Sequence, residues 1–519
     1  MNNNCISLQQ LLEGVASEVI TEGNSKDIND IKINSKLIQE GNMYIALKGE
    51  KNNGHSYLKE AYDRGAKFLV INKEELPELD ISSLSDATII AVNNTRVCLS
   101  QLINNFYSHP TKKFKLIGVT GTNGKTSITT IANHFFMKLG FHTGLIGTID
   151  NYINNEKMNI EKTTPTTPDC VELGKIMNLF VREKVDVALM EVSSMALKTH
   201  RVDGCQFDIA VFSNISPEHL DNHKTMEDYV NSKLLLFDMV DKAVVNVDDA
   251  YSDQVLDRCQ GEIIRYGIKN GEHCDIYAKN IIYSNEGVSF MAVFKKDIWH
   301  GHSLSSEIEL PLSIGTPSEF AVYNYLAAIG ICMLSGFTFE HVVQNLQDEI
   351  YIEGRYDVIK AGQPFTAVVD YAHTPAALEN LLTAAHKNEQ NKRIITVFGC
   401  GGDRDKSKRG PMGKVCQQLS DITILTLDNP RTEKPDRIID DILSGMDKNI
   451  SNYVVIPERK EAIEYAIRLA KADDIVIIAG KGHEKIQIFN GYSIEFDDRK
   501  VAENAIKGLK NNNIFEQVN

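Results

Sequence analysis

Residues 118–127 read "GVTGTNGKTS". An apolar run, "FKLIGVTG" (114–121), enters this glycine-rich turn, and a helical pattern, "TSITTIANHFFMKLG" (126–140), leaves it. Strand, glycine loop, Lys-Thr and helix together make a P-loop arrangement. Backbone N–H groups and a helix N-terminus face an anion, Lys125 adds charge, and Thr126 can reach Mg²⁺. The strict P-loop pattern places glycine at 119, where this chain has Val119. A purely structural glycine turn is the competing reading. The strand before and the helix after favour a nucleotide-phosphate site, and with it ATP-dependent chemistry.

Outward from this loop the same grammar repeats. Buried-type runs "VDVALMEV" (185–192), "FDIAVFSN" (207–214) and "KAVVNVDD" (242–249) alternate with helical patterns, which predicts a parallel sheet with helices on its faces. The helix "EFAVYNYLAAIGICMLSG" (319–336) closes this region. A further α/β unit begins near 353, with strands "FTAVVDYA", "RIITVFGC", "ITILTLDN" and "DIVIIAGKG". Each ends in a loop rich in Gly, Asp, His or Arg, and ligands in such sheets collect at the carboxyl ends of the strands. Before residue 110, short strands ("MYIALKG", "KFLVINK", "ATIIAVN") mix with helices such as "SYLKEAYDRGA", and "YSHPTKK" (107–113) reads as a linker. The expected organisation is three α/β domains. They are a small N-terminal domain over 1–110, a central P-loop-type parallel-sheet domain over 111–345, and a Rossmann-like C-terminal domain over 346–519.

Composition bounds the function. With 519 residues the chain is too long for one core. A formal charge of −15 argues against a nucleic-acid-binding face but allows a basic pocket for a small anion. No stretch approaches the roughly 20 apolar residues of a membrane span. The first residues, "MNNNCISLQQLLEG", lack the regions of a signal peptide. The nine cysteines show no CxxC pair, which fits reduced thiols in a cytosol.

The loop "TGTNGKT" resembles the nucleotide signature of the Mur ligases. The resemblance extends through "MEVSSMALKTHRVDGCQFDIAVFSNISPEHLDNH" (190–223), "VVDYAHTPAALE", "VFGCGGDRDKSKRGPMG", "DNPR" and "AGKGHE", in the family's order from about 115 to 500. Within the family these motifs are similar to the branch that adds the third residue of the peptidoglycan stem peptide. The resemblance implies a cytosolic, monomeric ligase using ATP and Mg²⁺. Its substrates would be a UDP-N-acetylmuramoyl dipeptide and meso-diaminopimelate. L-lysine or another amino acid as the amine, and a non-catalytic nucleotide-binding paralogue, are the alternatives.

The resemblance also implies roles. Gly121, Thr122, Asn123, Gly124, Lys125, Thr126 and Ser127 would hold the phosphates. Asn324, Arg355 of "EGRYD", and Asp370 and His373 of "DYAHTP" would complete the nucleotide edge. Thr126, Glu191, His219 and a carbamylated Lys233 would be metal ligands, and Lys125, Glu191, His219 and Lys233 the catalytic set. CO₂ adds only to a neutral amine, so Lys233 would need a lowered pKa. Ser35 matches a uridine-binding serine, flanked by Asn34 and Lys36 where the family usually has Asp and Arg. Thr166 and Thr167 of "TTPTTPD", with Ser193, Thr199 and Arg201, would meet the sugar and dipeptide. Thr163 and Thr164 precede the same proline pattern, so the register stays open. Met195 stands where the family usually has histidine, and Thr199 where it often has glutamine. Finally Arg404, Asp428, Asn429, Pro430, Arg431, Gly480 and Glu484 match the amino-acid pocket. Arg431 of "DNPR" would grip the distal carboxylate of diaminopimelate, a fork that lysine cannot copy. Leu427 departs from the polar residue often found before that motif.

Overall fold

The computed structural model describes residues 5–49, 52–284, 287–295, 298–299, 302–303, 307–388 and 392–511. Near the N-terminus, five strands form one sheet in the order Ser17–Thr21, Thr88–Val92, Phe68–Asn72, Met43–Ile45 and Ile31–Lys32. The last four run parallel, and Ser17–Thr21 is antiparallel at the edge. The helix Thr95–Phe106 starts where Asn94 accepts hydrogen bonds from the amides of Arg96 and Val97. It ends in the 107–113 segment, where Ser108 and His109 take positive φ and Pro110 follows. That segment is docked: Thr111 is buried and accepts a hydrogen bond from the Gln206 amide at 3.0 Å.

The central sheet has eleven strands. Its middle is β1 (Lys115–Thr120), which feeds α1 (Lys125–Lys138) and lies between β2 (Val187–Glu191) and β3 (Ile209–Phe212), all parallel. All three are buried along nearly their whole length and rich in Val, Ile, Leu and Ala, as a sheet covered on both faces requires. Two apolar clusters flank it. One is built on Ile117, Ile128, Phe135 and Leu189, the other on Leu116, Phe180, Ala188 and Phe212. After β3 come α2 (Met226–Leu234) and, further on, α3 (Glu319–Leu334). α3 is apolar nearly all round because it packs on α1 and on the sheet at once. Truncating Phe135, which has no exposed surface, would cost about 3–5 kcal/mol.

The expected parallel sheet is present, with additions. Antiparallel strands extend it at one edge (Asn151–Ile153, Glu156–Lys157) and at the other (Gly287–Phe294, Ile308–Ile314). The alternating exposure of Ile308–Ile314 suits an outer strand with one wet face.

The third sheet has six strands. Four carry the loops of interest: β4 (Thr366–Asp370), β5 (Ile394–Phe398), β6 (Ile422–Leu425) and β7 (Ile475–Ala479), mutually parallel in the order β4-β7-β5-β6. Parallel strands bring all four carboxyl ends to one edge, so residues 370–373, 399–404, 426–431 and 480–484 gather there.

Candidate active site

The loop after β1 turns tightly under β3. Gly121 has φ +142°, and a Cβ there would lie 1.9 Å from Ser213 Oγ, so only glycine fits. Asn214 accepts from the amide of Asn123 through Oδ1 at 3.0 Å and from that of Thr122 through its carbonyl at 2.7 Å. The Lys125 ammonium donates to the carbonyls of Gly121 and Thr122, each at 2.8 Å. Burial lowers its pKa, against the pull of Glu218 and Glu191.

Three acids and bases converge on this loop. Glu191, at the end of β2, is 1% exposed. Thr148 donates to both of its oxygens, from the backbone amide and from Oγ1, at 2.8 Å each. Glu218 accepts from His373 Nε2 at 3.1 Å, with His219 Nε2 at 3.7 Å. Burial opposes its charge, but the His373 hydrogen bond and the charges of His219, His373 and Lys125 win, and its carboxyl stays below the usual range. His219 takes φ +58°, and its side chain is 52% exposed.

Lys233 on α2 looks by sequence like a surface lysine, yet it is 2% exposed. Its Nζ donates to the Gly121 carbonyl at 2.8 Å and sits 4.6 Å from the Tyr229 ring centre. Burial, joined by the charge of Lys125, drives its pKa well below the lysine range. Among the described residues, no three His, Cys, Asp or Glu side chains are already gathered as metal ligands. Thr126, Glu191, His219 and Lys233 thus surround the loop without forming a closed cage.

Across a cleft of about 300 Å³ the third sheet supplies the opposite wall. Arg355 Nη2 donates to Thr126 Oγ1 at 3.3 Å, and its guanidinium lies 4.5 Å from the Tyr371 ring centre. Asp370 accepts from the amides of Tyr356 and Ala372, and burial raises its pKa. Ser127, Asn324 and His373 line the same cleft.

The residues expected at the sugar and dipeptide divide. Thr166 Oγ1 is 3.2 Å from Thr148 Oγ1, which ties it to Glu191. Thr167 is buried, donates to the Glu191 carbonyl and accepts from the Ser193 amide. Ser193 caps the helix Ser194–Lys198, and Thr199 donates to the Met195 carbonyl. Arg201 Nη1 donates to the Thr167 carbonyl at 3.1 Å, while its Nε is buried without a partner. Ser35 is remote from this cluster in its bonding: it is buried and donates to Glu60 at 2.9 Å.

At the edge of the third sheet, Arg431 has φ +52° and donates through Nη1 to the Gly402 carbonyl at 2.7 Å. Arg404 stands beside it; a Cβ on Gly401 would lie 2.9 Å from Arg431 Nη1 and 3.7 Å from Arg404 Cγ. Burial, with the like charge of Arg404, lowers the Arg431 pKa. Asn429 Nδ2 donates to Glu484 Oε2 at 2.8 Å, and the wholly buried Lys481 donates to both Asn429 and Glu484. Gly480 lies against Asp428, whose carbonyl accepts from Gln487. Pro430 lends its carbonyl to the turn, accepting from the Glu433 amide. Arg459, also fully buried, forks onto Asp498 with both bonds at 2.7 Å and donates to the Ala479 carbonyl, holding the ends of β7 and the 427–431 loop.

Three family models match successive stretches of the chain between residues 27 and 482. The family descriptions are "Mur ligase family, catalytic domain" over residues 27–107, "Mur ligase middle domain" over 119–332, and "Mur ligase, glutamate ligase domain" over 354–482. A Clostridium botulinum protein named UDP-N-acetylmuramoyl-L-alanyl-D-glutamate–2,6-diaminopimelate ligase is 40% identical over 506 residues, covering 97% of this chain and 100% of its own.

The chain belongs to the Mur ligase family.

A ligase of the same name from Caldanaerobacter subterraneus is also 40% identical, with 96% of this chain and 98% of that one covered. Among solved structures, one of that ligase superposes on this Mur ligase with TM-score 0.67, at 30% identity and with 98% and 99% of the two chains covered. A MurF ligase from Thermotoga maritima solved with ADP gives TM-score 0.59 at 16% identity, over 94% of this chain and 98% of that one, and shares the fold. No helix among the described residues is long and apolar enough to cross a membrane.

Four residues of this Mur ligase site escaped the sequence reading. Glu218 precedes His219 in a quoted motif, and its neighbour could have flagged it. Lys481 and His483 lie inside "AGKGHE". Lys162, which donates to the carbonyls of Gly147, Thr148 and Pro165, carries no sequence signal beyond its place before "TTPTTPD".

Proposed function

We propose that this Mur ligase joins meso-diaminopimelate to the D-glutamyl γ-carboxylate of UDP-N-acetylmuramoyl-L-alanyl-D-glutamate, converting ATP to ADP and phosphate. It does so in the cytosol, as a monomer. The observation that carries the reading is the pairing of Arg404 and Arg431 around Gly401, with Glu484 on the neighbouring loop. Two crowded cations and a carboxylate complement an amine that brings an extra carboxylate beside its ammonium groups.

ATP occupies the cleft between the central and third sheets. Its phosphates meet the amides of residues 121–127 and the Lys125 ammonium, and Arg355 closes from the opposite wall. Asn324, Asp370 and His373 border the rest. A γ-carboxylate oxygen attacks the γ-phosphorus, ADP leaves, and an acyl phosphate forms. The amine nitrogen then bonds to the acyl carbon as the carbon–oxygen bond to phosphate breaks. Holding two anions together is the main demand, and Lys125, Arg355 and Arg201 answer it. Arg201, with a buried Nε free to donate, faces the dipeptide together with Thr166 and Ser193, and Thr199 completes that wall. Thr167 acts behind them, fixing Glu191 and Ser193. Ser35 serves the uridine end.

Mg²⁺ fits the donors present. Thr126 and Glu191 are hard oxygens, and each Glu191 oxygen keeps a lone pair beyond its Thr148 bond. Thr126, Glu191, His219 and Lys233 as a carbamate would hold the ion, which supplies neutralising charge at the phosphates when bound. Burial lowers the pKa of the Lys233 amine, which favours the uncharged form that CO₂ requires.

The test is ADP release with UDP-N-acetylmuramoyl-L-alanyl-D-glutamate and either meso-diaminopimelate or L-lysine. Turnover favouring diaminopimelate is expected. Preference for L-lysine would reassign the amine, and no ADP with either would overturn the reading.

A further inference from the structure

The ligands so far named leave the incoming amine with its proton. An α-ammonium is cationic at neutral pH and cannot attack until it is deprotonated. We propose that His483 is the base that takes this proton from the amine, a further catalytic residue resting on the reaction proposed above.

Position comes first. His483 directly precedes Glu484, which borders the amino-acid pocket, and its ring lies 5.0 Å from that of Tyr371, which stacks on Arg355 at the nucleotide cleft. It therefore stands between the place of the amine and the place of the phosphates. Its backbone is held without slack. Gly354 has φ +66°, and a Cβ there would come 2.2 Å from the His483 amide nitrogen, so two loops touch backbone to backbone. Lys481 and Asn429 fix the following Glu484 carboxylate from the other side.

Hydrogen bonding comes second. His483 Nδ1 is buried without a partner, which leaves Nε2 as the ring nitrogen that solvent or substrate can reach. A buried polar atom left unpaired is rare and calls for a reason. A ring that spends no hydrogen bond on the fold is free to exchange a proton.

Electrostatics sets the resting state of the ring. Burial and the facing cations Arg355, Lys162, Lys485 and Lys481 push the imidazole down to about 3, so it is uncharged at neutral pH. Of these cations Arg355 lines the nucleotide cleft, where the phosphates approach. Bound anions offset only the cations' share of this shift, whose largest single cause is burial. The step balances as follows. The ammonium gives one proton to His483, and the freed lone pair attacks the acyl carbon. The carbon–oxygen bond breaks with its electron pair on phosphate, and the second amine proton leaves to the departing phosphate or solvent.

The experiment compares two nucleophiles in wild type, His483→Gln and His483→Ala, using the full chain with ATP and the UDP-linked dipeptide. Diaminopimelate must lose a proton before attack; hydroxylamine is largely uncharged at neutral pH and need not. With diaminopimelate, kcat should fall about 10²–10⁴-fold in both variants, and the residual rate should climb with pH as solvent hydroxide takes over. With hydroxylamine, the hydroxamate-forming rate should fall far less. Equal losses with both nucleophiles, or a flat pH dependence of the residual rate, would overturn the role as base and leave His483 a packing residue. Near-wild-type kcat with diaminopimelate would overturn it outright. Wild type that releases no ADP with either nucleophile would instead remove the proposed reaction itself, a distinct failure.

Discussion

Removing the Arg431 guanidinium should injure the use of diaminopimelate selectively. In the structure Arg431 spends Nη1 on the Gly402 carbonyl and crowds Arg404, and burial destabilises its charge. A bound carboxylate between the two arginines relieves that crowding. One charge-assisted hydrogen bond of this type contributes roughly 1.5–3 kcal/mol, about ten- to more than a hundredfold in kcat/KM. Arg431→Ala should lose that factor with meso-diaminopimelate. L-lysine has no distal carboxylate, so its weak use should change little, or improve once an unpaired cation is gone. Arg431→Lys should also be impaired, because the charge stays but the planar fork is lost. The assay is initial-rate ADP release with each amine at saturating ATP and nucleotide substrate, with melting curves to confirm folding. Arg431 also carries a left-handed φ and a backbone bond to Ile488. If its part were only to shape the loop, both amines would suffer alike, and that result would refute substrate reading by Arg431.

Lys125→Ala should abolish ADP release while moving the melting temperature by only a few degrees, since its partners are two loop carbonyls; wild-type turnover would remove the phosphate role. Lys233→Ala should be nearly inactive, and short carboxylic acids should restore part of the rate by replacing the carbamate; an unmodified ammonium in crystals grown with bicarbonate would count against it. Glu433 is held down to about 2 by its hydrogen bonds from the fully buried Arg409, so its contribution to stability is complete above the ordinary Glu range near 4.3 and drains away as pH falls toward 2. Glu433→Gln should therefore be less stable than wild type at pH 7, by about 1–3 kcal/mol for the weakened charge-assisted hydrogen bonds, while Arg409 keeps Asp441 at 2.8 Å and the Gly401 carbonyl. The gap should close on acidification; a gap independent of pH between 5 and 2.5 would refute the linkage.

Much of the architecture was readable because it rests on local chemistry. The run-and-turn rhythm of "VALMEV" or "IAVFSN" reports strands buried on both faces, and a parallel sheet then dictates where the functional loops must gather. The antiparallel outer strands were less legible. An edge strand such as Ile308–Ile314 alternates between wet and buried faces, a weaker signal than a continuous apolar run. Thr167 was named in the expected substrate wall, yet its hydroxyl is spent on Glu191 and Ser193. A motif says which residue stands at a position but not how many of its hydrogen bonds the fold consumes.

Lys233 shows why the remainder of the site lay outside what one sequence can say. On α2 its neighbours in sequence are Ser232 and Leu234, an ordinary amphipathic setting. Its pKa is instead set by burial and by the charge of Lys125, more than a hundred positions away, while its Nζ donates a hydrogen bond to the equally distant Gly121 carbonyl. Desolvation depends on what the fold stacks above a side chain, and no local pattern encodes that. The same holds for Glu218, whose low pKa depends on His373 arriving from the third sheet at 3.1 Å. Charges that stand on separate sheets meet only in the folded protein, beyond the reach of any local pattern.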